Sequence, residues 1–377
     1  MPPAEGFDVL FLPMVDWHAR MQRAQQLANA LAGRGHRCFY LSPHLGREFS
    51  YPVRLGKRTR ICALGERVWE LHTGLGSEPV FHHRLLTSRE SASVAESVLN
   101  ALTAFGSSKL LMISQFPVWT EAAEIIRTNI PSVLVYDCHD LLSGFRRISP
   151  EIISAEKQLF QRADFSVFTA RSLVEQLRTE YPVLGESSIV IRNGVDVRHF
   201  QPVPGGKSKV AGYVGSLDDW FDVQAVRQAA MDHPSVQFVF LGRIESPRVR
   251  DLESLPNVRF YGEVPYHRLP EYMAEFDVAL IPFLITPLTL ATNPIKLYEY
   301  FSCGIPVVST ALPEVQNFGD LVYTAATPSD YSAQVGRALA EHSPERREAR
   351  RSVAIRESWH ARSGQLLDAV NTYMQRR

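Results

Sequence analysis

The chain has 377 residues, long for one hydrophobic core and comfortable for two α/β domains. It is 45% hydrophobic and 21% charged, and its 40 basic and 40 acidic residues cancel, which argues against a general nucleic-acid binder whose affinity rests on phosphate neutralisation. The four cysteines, Cys38, Cys62, Cys138 and Cys303, lie far apart without metal-ligand spacing, so neither a disulfide framework nor a zinc site is expected and a reducing, cytoplasmic setting fits best.

The N-terminus runs into a strand without a signal-peptide pattern. Residues 8–15 (DVLFLPMV) form the apolar run of a strand buried on both faces. Ala24, Leu27, Ala28 and Leu31 recur at helical spacing, Gly33 and Gly35 end that helix, and Arg37–Leu41 reads as the next strand. This βαβ unit sets the fold class as α/β. Apolar runs follow at Leu110–Ile113, Val133–Tyr136, Ser166–Thr169 and Ile189–Ile191. Gln201–Ser208 (QPVPGGKS) reads as a linker. The alternation then restarts: strand Val210–Val214, a helix near Val223–Met231, and strands Val236–Leu241 and Val258–Tyr261. A helix near Leu269–Phe276, strand Val278–Pro282, helix Pro294–Cys303 and strand Pro306–Ser309 come next. The uncharged run Val278 to Pro294, broken by Pro282 and Pro287, is too short to span a bilayer. From Pro344 the chain is charged and helical. Two series of alternating β and α around a Pro/Gly linker imply two doubly wound domains, with the break near residue 200.

The segment Thr292–Thr310 (TNPIKLYEYFSCGIPVVST) carries the densest chemistry. Asn293 suits a helix N-cap, Pro294 the first helical position and Gly304 the stop, which predicts a helix of about three turns. Lys296 and Glu299, three residues apart, share one face. A helix N-terminus beside a lysine is a ready site for a phosphate or diphosphate. A carboxylate one turn further on can accept hydrogen bonds from two ribose hydroxyls. The helix can therefore hold the nucleotide half of a nucleotide-sugar; the plainer alternative is a surface Lys–Glu pair.

The run P-I-K-L-Y-E-Y-x-x-x-G-I-P-V-V-S-T resembles the donor-site segment of family 4-like (group 1) glycosyltransferases, in a branch that makes bacterial cell-surface polysaccharides. Other segments agree in order. Val190–Phe200 (VIRNGVDVRHF) resembles the family's N-G-V-D segment, and Val210–Ser216 (VAGYVGS), which holds Gly215, its glycine turn. Leu255–Gly262 and Phe276–Phe283 resemble its core strands, and Trp359 falls in a segment like its closing helix. The resemblance implies the GT-B fold, two Rossmann-like, doubly wound parallel-sheet domains facing a cleft. Residues 1–200 would bind the acceptor and 201–355 the nucleotide-sugar, with 356–377 a closing helix packed back on the first domain. By the same resemblance Glu299 binds the ribose and Lys296 touches the diphosphate. Backbone N–H groups at Thr292 and Asn293 approach sugar and phosphate, and the loop with Val264 holds the base.

The sequence also departs from the family. The familiar pattern has two glutamates eight positions apart, and here Ala291 stands eight before Glu299. The Arg and Lys often found after the glycine turn are replaced by the acidic Ser216–Asp222 (SLDDWFD). Diphosphate charge then falls on Lys296, the helix N-terminus and Arg243.

In the first domain, Tyr136–Asp140 (YDCHD) follows a buried strand and so lies at its C-terminal end. His139 or Asp140 would act as general base on the acceptor hydroxyl or contact the donor sugar; a hydrogen-bonded loop histidine and a capping aspartate are the alternative. Asp16 is a second base candidate, with an N-cap as its plainer role. Arg54, Lys57, Arg58 and Arg60 form a basic cluster, either a solvated loop or a contact for anionic lipid or a lipid-diphosphate acceptor. His82 and His83 read as structural, and no Asp-x-Asp occurs. The expected activity is metal-independent transfer, without a cofactor, from a nucleotide-sugar to a saccharide or lipid-linked saccharide. It takes place in the cytoplasm or at the inner face of the membrane, with no nucleic-acid partner. The rivals are a GT-B sugar-nucleotide epimerase and a degenerate GT-B domain that binds without turnover.

Overall fold

The computed structural model describes residues 6–43, 53–55 (backbone), 59–75, 82–181, 189–202 and 209–376. Two compact units emerge. Met1–Thr169, Leu173–Ile191 and Ser363–Arg377 form the first; Ala170–Ser172 and Arg192–Arg362 form the second.

The first unit opens with β1 (Asp8–Leu12), α1 (Arg23–Gly33) and β2 (Cys38–Leu41). It continues through β3 (Val53–Leu55), β4 (Thr59–Ala63), β5 (Val68–Thr73), α2 (Ser88–Ala104), β6 (Leu110–Ser114) and α3 (Thr120–Asn129). Strand β7 (Ser132–Cys138), α4 (Pro150–Arg162), β8 (Phe165–Phe168), α5 (Arg171–Glu180) and β9 (Ile189–Val190) complete the series. The sheet order is β3-β4-β5-β2-β1-β6-β7-β8-β9, parallel except for the antiparallel β3–β4–β5 ribbon. That ribbon has no counterpart in the sequence reading, because its strands are short and carry Arg54, Arg60, Glu70 and His72 among their apolar residues. Every residue of β1 is buried, as a strand covered on both faces requires. The chain leaves β1 on one side for β2 and later returns to its other side as β6. The loop after β1 therefore sits at the switch point where open α/β sheets bind ligands.

The second unit repeats this logic with β10 (Val210–Val214), α6 (Val223–Asp232), β11 (Gln237–Leu241), β12 (Val258–Gly262), α7 (Leu269–Met273) and β13 (Val278–Ile281). Then come α8 (Pro287–Leu290), α9 (Ile295–Cys303), β14 (Val307–Thr310), α10 (Pro313–Gln316), β15 (Val322–Ala325), α11 (Pro328–Leu339) and α12 (Pro344–Arg356). Its order, β12-β11-β10-β13-β14-β15, is wholly parallel and has its switch point between β10 and β13. The helix expected over 269–276 stops at Met273. The last residues tighten to three-residue hydrogen bonds, with Phe276 N–H donating to Met273 O, and Phe276 enters the core.

The final helix, α13 (Trp359–Gln375), contributes its later turns to the first unit. There Tyr373 Oη donates to Asp164 at 2.7 Å and Arg34 Nε donates to Ser363 Oγ at 2.9 Å.

Candidate active site

In the second unit the switch point is occupied by α9. Its N-cap is Pro294, without a side-chain bond, and not Asn293 as the local sequence suggests. Asn293 is buried and its side chain is spent elsewhere. Oδ1 accepts the Asn193 N–H at 3.0 Å, while Nδ2 donates to Tyr298 Oη at 2.9 Å and to Glu314 at 3.2 Å. Glu314, 1% exposed, also accepts from the Arg171 N–H and from Arg192 Nε. Sequence reasoning missed it, since a carboxylate after a strand gives no signal of partners more than a hundred residues away. Thr292 donates its hydroxyl to Leu288 O, and its N–H already donates to Thr289 O.

Lys296 lies against two rings. Its ammonium is 5.1 Å from the centre of Tyr213, on β10, and 4.7 Å from that of Phe283, just beyond β13. Its stem passes Gly215, where a Cβ would stand 3.1 Å from Lys296 Cε. Gly215 (φ +141°) also meets Gly242 (φ +154°), where a Cβ would come 1.8 Å from Gly215 O. Bare backbone on both turns is thus required for them to close together beside the lysine. Glu299 is 8% exposed, and no hydrogen bond reaches its carboxylate from the described residues. Burial pushes its carboxyl up to about 7, with Lys296 opposing. It is therefore no surface ion pair.

Arg243 follows Gly242 but is exposed and paired with Glu245 at 2.5 Å, so part of its charge is already answered. Val264 is half-buried in the loop after β12, against the core. The acidic loop has structural uses: Asp222 caps α6 through the Ala225 N–H at 2.9 Å, and Asp219 accepts from Ser246 Oγ at 3.0 Å.

In the first unit, β7 delivers its residues to alternate faces. Tyr136 and Cys138 meet Glu156, which accepts Tyr136 Oη at 2.6 Å and Tyr181 Oη at 3.2 Å. Burial pushes Glu156 up to about 7 against those two bonds. On the other face Asp137 is gripped by Arg23 at 2.8–3.0 Å and by Gln115 at 2.8 Å. Burial raises the Asp137 carboxyl, but Arg23 outweighs it and holds the group below its usual range. His139 then places Nδ1 3.3 Å from Asp137 O and Nε2 3.6 Å from Asp140 Oδ2. Burial raises the Asp140 carboxyl, with His139 and Arg23 opposing. Asp140 caps nothing, because the short 3-10 turn that follows starts from Leu141.

Asp16 lies in the loop after β1. It does not cap α1, whose N-cap is Gln22; its Oδ1 accepts the His18 N–H at 2.7 Å. His18 Nε2 is 2.9 Å from Glu70 Oε2, and the same oxygen is 3.2 Å from His72 Nε2. Arg23, Glu70, His72 and Asp137 all escaped the sequence reading. Their signal is a charged residue inside a buried strand or helix face, which is seen only once burial is known.

Lys57, Arg58 and the side chain of Arg54 lie outside the described residues, and Arg60 sits on β4. His82 takes a structural place, its ring edge-on to Phe116. All four cysteines are free thiols. Among the described residues no group of three or more His, Cys, Asp or Glu is placed to hold a metal ion, and no helix is long and apolar enough to cross a membrane.

Comparison with known proteins matches both halves of the chain to family models. Residues 22–199 match "Glycosyltransferase Family 4" and residues 208–341 match "Glycosyl transferases group 1". A putative teichuronic acid biosynthesis glycosyltransferase of Bacillus subtilis, TuaH, is 27% identical over 262 residues. That match covers 62% of this chain and 66% of the relative, just under two thirds of its length. Among solved structures, sucrose-phosphate synthase of Thermosynechococcus elongatus superposes with a TM-score of 0.73 at 14% identity, covering 98% of this chain and 100% of that one. HepE of Anabaena, solved with UDP and glucose, gives 0.65 at 16% identity over 97% of this chain and 99% of that one. These structures share the GT-B architecture of two parallel-sheet α/β domains. With that fold and both matches, the chain belongs to the family 4-like, group 1 glycosyltransferases.

Proposed function

We propose that the protein moves a sugar from a nucleotide-diphosphate-sugar to a hydroxyl of a saccharide or lipid-linked saccharide in cell-surface polysaccharide synthesis. The observation that carries this reading is Glu299, a buried carboxylate that receives no hydrogen bond from the described residues, one turn from Lys296 at the switch point of the second unit. Ribose hydroxyls supply the donors that the protein does not. The Lys296 ammonium and the N-terminus of α9 offset the diphosphate, with Gly215 and the backbone at Thr292 and Asn293 giving close approach. Val264 borders the base, and Arg243 is a weaker contributor because Glu245 holds it. The second unit is the donor side and the first the acceptor side, where Asp140, His139 or Asp16 takes the acceptor proton as the new bond to the anomeric carbon forms and the nucleoside diphosphate leaves. The TuaH relationship supports a surface polymer as the destination. The protein then works in the cytoplasm at the inner face of the membrane, with the Arg54–Arg60 cluster toward anionic lipid.

The test is a panel of nucleotide-sugars scored for thermal stabilisation, followed by donor hydrolysis with and without EDTA. One nucleotide-sugar is expected to raise Tm well above its free nucleoside and to be hydrolysed slowly in EDTA. Stabilisation by none would overturn the reading. Binding without hydrolysis or transfer would favour the turnover-free alternative, which Ala291 motivates.

A further inference from the structure

Ten residues, Pro13–Gln22, connect the central strand β1 to α1, and several of them are tied down. Pro13 O accepts Trp119 Nε1 at 2.7 Å, and Val15 O accepts Tyr40 Oη at 2.7 Å. Asp16 O and Arg20 O share Gln25 Nε2 at 3.1 and 3.0 Å, and the His18 N–H is held by Asp16. So built a loop, at the switch point of the first sheet, presents fixed groups to a ligand.

We propose that this loop recognises the acceptor saccharide, His18 hydrogen-bonding one of its hydroxyls beside the ring of Trp17, with Glu70 as the positioning residue. The inference rests on the glycosyl-transfer reading and adds the acceptor site to it. Its first support is the pairing of exposures. The His18 side chain is 52% exposed, whereas the Glu70 carboxylate that holds it is 1% exposed. An ionised carboxylate on a buried strand is costly, and an apolar residue would pack there without that cost. Burial raises the Glu70 carboxyl, but the nearby His72 and His18 imidazoles outweigh it and hold it below its usual range. Its charge is therefore retained and directed at two imidazoles through Oε2, while Oε1 has no hydrogen-bond partner among the described residues. A carboxylate on Nε2 fixes the tautomer and ring plane of His18, whose side chain is half exposed to a ligand.

The second support is chemical class. Trp17 is half-buried, edge-on to Tyr40 with 5.1 Å between ring centroids, and directly precedes His18. A flat apolar ring next to a charge-supported imidazole suits a sugar, which offers C–H faces and hydroxyls in one molecule. Asp16, Arg20, Glu70, His72 and Tyr40 are the other titratable groups in and around this loop, and they carry both signs of charge.

The experiment uses the full chain, octyl glycosides as acceptor probes, and the nucleotide-sugar selected by the thermal screen. In His18→Ala, kcat/KM for the octyl glycoside is expected to fall about tenfold or more, the loss of a charge-supported hydrogen bond. Donor Kd and the rate of donor hydrolysis, where water is the acceptor, should stay within about twofold. Glu70→Gln should lower the same parameter less, with Tm confirming folding. Independently of turnover, the 15N imidazole signals lost in His18→Gln should shift when octyl glycosides are added to the wild type. Unchanged transfer in both variants, or immobile His18 signals with every glycoside, would overturn the proposal. Failure to bind or hydrolyse any nucleotide-sugar would instead sink glycosyl transfer, and the His18 titration would still decide whether the loop binds saccharide.

Discussion

Glu299 in the second unit and Glu70 in the first are both buried carboxylates, and their surroundings drive them in opposite directions. Glu299 has one lysine nearby and no hydrogen bond from the described residues, and burial carries it up to about 7. Glu70 has two imidazoles on one oxygen and stays ionised in spite of burial. Burial acts alike on both; what separates them is whether the protein supplies the donors. A carboxylate satisfied from within acts on the residues that hold it, as Glu70 does on His18. One left without donors is poised for a ligand that brings them. On the proposed function the two units divide the work: the second offers unmet acceptors to a nucleotide, the first a prearranged frame for the group that attacks.

Substitutions should expose that division. The largest effect is expected in the first unit. If Asp140 takes the acceptor proton, Asp140→Asn lowers turnover by about two to four orders of magnitude with donor affinity hardly changed. His139→Asn or Asp16→Asn shows that pattern instead if one of them is the base. Saturating kinetics on all three checks this, and near wild-type rates throughout would move the chemistry to other residues.

The second unit should give the converse, an effect on binding. Glu299→Ala is expected to weaken the nucleotide-sugar by about 1.5–3 kcal/mol, and Lys296→Ala to weaken the diphosphate form more than the free nucleoside. Calorimetry showing unchanged affinity in both variants would remove the nucleotide from α9.

A titration sharpens the contrast further. Without ligand Glu299 holds its proton below about 7, and ribose hydroxyls bind the ionised carboxylate better. Donor affinity should therefore rise as pH increases through 7, and Glu299→Gln should flatten that rise. Glu70, already ionised over this range, adds no slope. The smallest effect concerns the basic cluster. Neutralising Arg54, Lys57, Arg58 and Arg60 should weaken binding to anionic vesicles by about 1 kcal/mol per residue near the surface, with strong salt dependence. Unchanged vesicle binding would return the cluster to solvent.

Much of the second unit was legible in the sequence because its signals are local. Val210–Val214 is a run of buried apolar residues, and α9 ends at Gly304 in the left-handed conformation that glycine favours. What stayed hidden depended on distant partners. Asn293 looks like a cap until Asn193, a hundred residues earlier, and Glu314 are seen to use its side chain. The segment VWELHT resists a strand reading because Glu70 and His72 look solvent-facing. Their burial makes sense only beside His18, 52 residues upstream. Asp16 and Asp140 fit capping positions on spacing alone, and the structure starts the next elements elsewhere. Tertiary hydrogen bonds override local preference at the positions that matter most to a site.

The two tyrosines on Glu156 have a consequence for how unfolding is measured. This carboxyl is proton-loaded up to about 7 in the native chain, against an ordinary value of 4.5. Its folded pKa is raised, so the unfolded state binds fewer protons between those values, and stability falls as pH rises across that window. At mildly acidic pH each molecule that unfolds must hand a proton to the buffer, and unliganded Glu299 hands over another. Scanning calorimetry will then record heat that belongs to the buffer. The apparent enthalpy of unfolding should differ between buffers of high and low ionisation enthalpy, and the difference should shrink when a bound nucleotide-sugar has already emptied Glu299 of its proton.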